Sequence, residues 1–598
     1  MSEKGNQTTF KYVGVFIILL LFVALLLGSI GFIWATNDSE PGDSASAGTV
    51  TRKADTKDVI DTVPPTPVLA TPRASAVAPL APTAIATSDP QPTLLPLPTF
   101  NNPIDERLVE ESLAWGADFV LVDEKNTGVR QYEAQSFIRP IAMEVSNGTC
   151  FLLDGGRVLA LNLDQPEPPV ELIASGDSVE GVLILEPLDL AVIDDALFVL
   201  DRAGDVYRYN IKEGIWNLDR FDRPVEASSG HYFVALDVPS IAEEDETPHL
   251  WRTLLETNYK FAMQYRGDEQ SLWNLPEGRS VDVSGSDGDT FVLQREMFDL
   301  TGIINKYRDT RLIEEFSPEI EIEFPREILA TETAVYVLDM DGHRLLALDP
   351  GSGILLTLYQ LPQDSSVSAF TVDLEGHILL AGRDRLFLLG QPQWTGAIPG
   401  GPVLSGSQPH DPGFLAELLD YTVPIGGSNI TFRDFQLPGA PRHYRLGVHQ
   451  GLDFYWQPGT KILAAADGSV IRADLDYVPP TAAQLAAWWN ESQQQGYTST
   501  DTLNNYLGRQ VWIQHADGLV SRYAHLRTIA PGIKAGTQVS KGQVIGEVGN
   551  SGSPASLESE KADAHLHFEL WMGDKFLGQF MRPIETREWI ERIFANGE

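Results

Sequence analysis

Apolar and polar positions follow three different patterns along this chain, and each pattern marks a separate region. From Val13 to Trp34 the residues are predominantly apolar and none is charged. As a helix rising about 1.5 Å per residue this stretch spans about 33 Å, enough to cross a bilayer core. Secretory h-regions are shorter and no small-x-small cleavage site follows Trp34, so the pattern predicts a retained membrane-spanning helix over residues 12–36. Lys4 and Lys11 precede the segment while Asp38, Glu40 and Asp43 follow it. The positive-inside rule then sets residues 1–11 in the cytoplasm as a short tail and everything after the helix on the far side of the cell membrane. Residues 37–103 are rich in Pro, Thr, Ser and Ala, as in Pro64-Pro65-Thr66-Pro67, with too few bulky apolar side chains for a core. They read as an extended linker.

Between residues 104 and 392 the pattern changes to short strand-like runs that close on one residue. These are Phe151-Leu152-Leu153-Asp154, Phe198-Val199-Leu200-Asp201, Phe291-Val292-Leu293-Gln294, Tyr336-Val337-Leu338-Asp339 and Ile378-Leu379-Leu380-Ala381. The closing residues stand 47, 93, 45 and 42 positions apart, so the second interval holds two periods and hides one divergent unit. That unit begins near Tyr232-Phe233-Val234-Ala235-Leu236 and carries the acidic insertion Glu243-Glu244-Asp245-Glu246 as a surface loop. A polar link and a second apolar strand follow most closers, as from Asp339 through Gly342 to Leu345-Leu346-Ala347-Leu348; Gln294-Arg295-Glu296-Met297 is the poorer fit. Hairpins repeating at this period predict propeller blades, about six for the length available. The repeats are loosely similar to the quinoprotein-like and NHL-like propellers. No metal cluster stands out among them, and they read either as a module for an envelope protein or glycan partner or as a spacer.

Residues 393–425 carry loop signals, such as Pro399-Gly400-Gly401-Pro402, and read as a second linker. From residue 426 to 598 period-two alternation returns with Gly-rich turns, in Val511–His515, Ser521–His525 and Val544–Val548. The expected fold class is therefore mainly β: a transmembrane helix, a six-bladed type of β-propeller, and an antiparallel β domain at the C-terminal end.

Composition narrows the function. With 43 basic against 83 acidic residues, formally −40, the 598-residue chain is not built to displace counterions from nucleic acid. Its single cysteine, Cys150, excludes an intrachain disulfide and reads as a small buried residue.

The chemistry gathers in the last domain. His449 and Asp453, then His525, then His565, His567 and Glu569 supply imidazole and carboxylate from three separated segments. Two imidazoles and one carboxylate with an open coordination position make a catalytic zinc site. In a strand, His565, His567 and Glu569 share one face while Leu566, Phe568 and Leu570 take the other. Four residues of straight strand would hold His449 and Asp453 about 13 Å apart, so the chain must bend between them, and Gly451 permits that. His515 reads as structural. Glu569 reads either as support for a ligand or as an ordinary solvated residue.

The order His449, Gly451, Asp453, Gly459-Thr460, Ala465–Val470, Tyr523-Ala524-His525-Leu526, Gly542–Gly546 and His565–Glu569 resembles the lysostaphin-type (M23) zinc metallopeptidases over about residues 440–585. The resemblance implies that His449, Asp453 and His567 bind Zn2+ and that His525 and His565 are catalytic, with the choice of base between them open. It implies a zinc metalloendopeptidase acting on peptide cross-links of peptidoglycan, with a non-catalytic scaffold that activates other wall hydrolases as the alternative. Two departures bear on substrate choice: a longer link over Ser553–Ala564, and an insertion over Tyr477–Tyr506 with a predicted helix from Thr481 to Gln495. They read as rims of the cleft or as solvated loops.

Overall fold

Each of the five apolar runs becomes the second strand of an antiparallel sheet, and the aspartates that close three of them do the same work in each. The carboxylate of Asp154 accepts the backbone N–H groups of Ile138 and Arg139 (2.8 and 2.6 Å). Asp201 accepts those of Glu186 and Ala203 (2.7 and 2.9 Å), and Asp339 those of Glu323 and Phe324 (3.0 and 2.8 Å). Apart from Ala203, which lies in the turn after Asp201, the anchored residues lead into a first strand that opens on proline: Pro140, Pro187 or Pro325. The aspartate thus satisfies buried donors at the blade entrance that the sheet itself leaves unpaired. Gln294 lacks that geometry and bonds instead to the Pro276 carbonyl and Asn305.

The computed structural model describes residues 106–595 with internal gaps, the longest being 220–232, 238–250 and 401–415, and gives only the backbone of residues 251–273. The expected membrane helix, the 37–103 linker and the Glu243–Glu246 insertion lie outside the described residues. Among the described residues no helix is long and apolar enough to cross a membrane.

Six sheets form the repeat region, with first strands Pro140–Ser146, Pro187–Ile193, Phe233–Asp237, Arg279–Ser286, Pro325–Ala330 and Ala369–Val372. Each first strand contacts the next, and the sixth contacts the first, which closes a propeller. The divergent third unit is a full four-stranded blade. Closure draws on the N-terminal side of the repeats: Thr127–Tyr132 pairs antiparallel with Arg385–Leu389 in the sixth blade, and Asp118–Leu121 pairs parallel with Leu355–Gln360 in the fifth. Cys150 is buried between apolar neighbours, as expected.

The C-terminal domain is a seven-stranded sheet centred on His565–Met572, with a three-stranded sheet beside it. Leu566, Phe568 and Leu570 join its core together with Ile590, Ile593 and Phe594 of the last helix, Pro583–Ala595. Ile584, the second residue of the same helix, belongs to a propeller core cluster with Val281 and Leu293.

Just before that helix Arg582 enters the mouth of the propeller channel. Its guanidinium lies 3.4 Å from Asp189, 3.4 Å from Glu327 and 3.5 Å from Asp282, and its Nε donates to the Ile141 carbonyl at 3.0 Å. Burial pushes all three carboxyls up, Asp189 to about 7, although Arg582 opposes it. Replacing Arg582 by Met leaves these carboxylates without their cation and is expected to cost about 3–5 kcal/mol. A shifted urea midpoint measures the loss. Since these carboxyls titrate above their unfolded values, the deficit deepens as pH rises through about 7 and shrinks below it.

Candidate metal centre

Strand register brings the chemistry together. His565–Met572 lies between Leu452–Tyr455 and Val520–Ala524, with Asp453 directly opposite His567 and Tyr455 opposite His565. On the other side Ala524 is the partner of His567, so His525 follows at the end of its strand beside the pair. Period-two geometry holds as expected: the odd residues line the site and the even ones fill the core. His449 lies in the link between Gly447–Val448 and Leu452–Tyr455. The chain bends at Gly451 as expected, bringing His449 and Asp453 to 3.0 Å of each other, and the glycine also meets a demand on space. Its φ is not left-handed; rather, a Cβ would sit 2.5 Å from the Phe568 carbonyl and 2.8 Å from the His567 ring. Its missing side chain lets the link approach the central strand.

The hydrogen bonds at the back of each imidazole set what faces inward. His449 donates its Nδ1–H to the Leu437 carbonyl (2.9 Å), and His567 donates its Nε2–H to Glu569 (2.8 Å). His449 Nε2 and His567 Nδ1 therefore turn lone pairs toward each other. They lie 3.0 Å apart, with Asp453 Oδ1 at 3.0 Å from the first and 2.9 Å from the second. Three buried acceptors at this separation repel one another unless a proton or a cation sits among them. Two nitrogens and one oxygen are the donor set of zinc, and the group fits such an ion.

Without a cation the set holds one proton, and it belongs on His567. Burial and the nearby Arg442 guanidinium lower His449 to about 3. Burial alone would lower His567 too, but hydrogen bonds to Asp453 and Glu569 outweigh it and raise His567 to about 9. Burial would raise Asp453, yet the surrounding imidazoles hold it well below the usual carboxylate range.

His525 and His565 flank the set, their rings 4.7 Å apart. Each points Nδ1 at a backbone carbonyl, His525 at Ser551 (2.8 Å) and His565 at Asp563 (2.7 Å), which leaves both Nε2 lone pairs directed away from those anchors. His565 Nε2 lies 3.8 Å from Asp453 Oδ1. His525 occupies the left-handed region with φ 59°, a conformation that a non-glycine residue holds only when its surroundings enforce it. Burial, with His565 and His567 adding to it, depresses its basicity well below the ordinary imidazole value.

Several supporting residues were not evident from the sequence. Arg442 bonds Asp453 Oδ2 (3.3 Å), and Tyr455 stacks on His565 with ring centres 4.9 Å apart. Glu569, ambiguous by pattern, is buried support: Trp571 Nε1 donates to its second oxygen at 2.6 Å and Arg522 lies 3.5 Å away. Alternation placed Glu569 on the reactive face, but only the tryptophan and arginine beside it mark it as buried. His515 is structural, as expected, bonding Ser521 (2.7 Å) and the Asp467 carbonyl (2.8 Å).

The insertion also has a place. The insertion forms the helix Ala482–Gln495, opened by a capping box between Thr481 and Gln484, and an unanticipated second helix Thr500–Tyr506. Gly508, just beyond, packs so closely on Ser551 that a Cβ would lie 2.1 Å from its carbonyl oxygen, the same oxygen that anchors His525. The backbone N–H of His525 donates to Leu507 at 2.9 Å. The end of the insertion therefore supports His525.

Residues 491–578 match the model of Peptidase family M23. This segment is an M23 domain. It contains His525, His565 and His567, while His449 and Asp453 lie upstream of the match. Among similar proteins, the peptidoglycan DD-endopeptidase ShyA of Vibrio cholerae is 31% identical over 127 residues, 21% of this chain and 21% of that protein. The L-Ala--D-Glu endopeptidase of Bacillus subtilis is 37% identical over 68 residues, 11% of this chain and 21% of that protein. The chain thus spans about a fifth of the length of each. Among solved structures, virginiamycin B lyase from Staphylococcus aureus overlaps 44% of this chain and 98% of its own, with 14% identity and a TM-score of 0.31.

Two outcomes are expected of the M23 domain. Gly451→Ala drives a methyl group into the Phe568 carbonyl and the His567 ring, and should weaken metal binding at least about tenfold; competition against a chelator measures this. Because the metal-free His567 carries its proton up to about 9, cation uptake at neutral pH must expel it. Affinity should then rise by about tenfold per pH unit and level off above that value, as read from metal titrations across pH.

Proposed function

We propose that this protein is a zinc-dependent endopeptidase that hydrolyses peptide cross-links of peptidoglycan. The observation that carries the proposal is the convergence of His449 Nε2, Asp453 Oδ1 and His567 Nδ1 within 3.0 Å of one another, a set that shares one proton when metal-free and offers three donors to a cation once that proton leaves, flanked by two further imidazoles. The peptidoglycan DD-endopeptidase among the similar proteins supports the substrate class.

In this reading His449, Asp453 and His567 hold the ion, and Glu569 keeps His567 in the tautomer that presents Nδ1. The zinc, when bound, supplies Lewis-acid polarisation and an acidified water nucleophile. His525 and His565 flank the reacting carbonyl. One accepts the nucleophile's proton at Nε2 and passes it to the departing amine; the other, entering the step as an imidazolium after taking a proton from solvent, donates Nε2–H to the developing oxyanion. Their anchored Nδ1–H groups fix both rings for these roles. The proposal includes the apolar segment 12–36 as a membrane anchor, with the folded part beyond the cell membrane, where peptidoglycan lies.

Zinc content and wall digestion test the reading together. Purified protein should hold one equivalent of zinc and release cross-linked fragments from sacculi, with mass spectrometry identifying the bond cut. His449→Ala and His567→Ala should lose both zinc and turnover. His525→Ala and His565→Ala should keep zinc and lose about 10²–10⁴-fold in turnover. A wild-type protein without stoichiometric zinc would instead favour the non-catalytic scaffold.

A further inference from the structure

We propose that Arg279, a propeller residue, is a positioning residue for the metal centre and acts through the turn Asp434–Leu437. The inference rests on the metal-site reading above. The turn carries two of the three donors. The Leu437 carbonyl accepts His449 Nδ1–H at 2.9 Å. The Phe435 carbonyl accepts Arg442 Nη1 at 2.8 Å, and the other arm of Arg442 reaches Asp453 Oδ2 at 3.3 Å. Beyond the turn, Gly439 N–H donates to the His449 carbonyl and His449 N–H to that of Ala440, both at 2.7 Å. A shift of this segment would therefore carry His449 with it and loosen Asp453.

The hydrogen bonding of the turn itself is slight. Asp434–Gln436 is a three-residue 3-10 helix without a side-chain cap, too short to persist alone. Its far end is held by Leu437 in the C-terminal core, and its near end by the buried carboxylate of Asp434, clasped by two guanidinium groups. Arg587 of the last helix donates to Asp434 Oδ1 from Nε (3.1 Å) and Nη2 (2.6 Å), and to the Thr431 carbonyl at 2.8 Å. Arg279 donates to the same Oδ1 at 3.0 Å and to the Phe432 carbonyl at 3.3 Å. It opens the inner strand Arg279–Ser286 of the fourth blade, so it stands on a sheet that does not move with the turn. Outer residues of this kind orient ligands that they never touch. Through Arg279 the propeller completes the metal site.

Arg279→Met tests this, because Arg587 still neutralises Asp434 in that variant and folding should persist, as checked by circular dichroism. Zinc affinity, read by chelator competition, should fall about tenfold. The visible bands of a cobalt-substituted sample should shift, and Arg279→Lys, which reaches one of the two acceptors, should restore part of the loss. Arg295→Met is the control. Arg295 stands opposite Arg279 in the strand pairing, and its replacement removes a 2.9 Å bond to Glu588 across the same interface while leaving the bonds of Arg279 and Arg587 to Asp434 in place, and should leave zinc affinity unchanged. Unchanged affinity in Arg279→Met overturns the inference, as does an equal loss in Arg295→Met, which would make the effect general loosening. Wild-type protein that binds no zinc would overturn the metal reading itself, and this one with it.

Discussion

One pairing underlies the site: Asp453 lies opposite His567 in an antiparallel register. Because side chains alternate with a period of two, a one-residue slip would turn His565, His567 and Glu569 into the core and expose Leu566 and Phe568. The apolar face guards against that slip, since Phe568 packs on Tyr523 and Phe594 with ring centres 5.3 and 5.9 Å away. Burial of one face thus enforces the alignment that the polar face needs for its chemistry. The remaining groups refine this arrangement: Gly451 lets His449 approach, and Glu569 and Leu437 select the tautomers.

Buried charge joins propeller and peptidase domain beside the apolar contacts of Ile584 and Ala440. Arg139 meets Glu585, Arg295 and Arg326 meet Glu588, Arg279 and Arg587 meet Asp434, and Arg582 meets three carboxylates. Buried ion pairs recover little more than their desolvation cost, but any misalignment leaves a charge unpaired. Such an interface contributes alignment more than adhesion. In a chain with a formal charge of −40, several of its scarce cations are committed to this seam.

What was legible in the sequence was what repeats or alternates. The closing aspartates revealed the blades, and the spacing alone located the divergent unit, whose first strand is Phe233–Asp237. The His-x-His strand was legible because its periodicity is local. Arg442, Asp434 and Arg279 were not, because each acts through contacts made only once the chain has folded. Arg279 and Asp434 are 155 positions apart. The carboxylates around Arg582 were hidden differently: Asp189, Asp282 and Glu327 come from separate blades and look like ordinary acidic residues until the ring closes. The bend at Gly451 was legible, but the close approach of Phe568 and His567 that also demands a glycine there was not, since it arises only across the folded sheet.

The last helix gives Ile584 to one lobe's interior and Ile590, Ile593 and Phe594 to the other's. A rigid rod seated in both leaves no swivel between them. The cleft therefore cannot be swung toward a target independently, and whatever orients the ring of blades also aims the histidines.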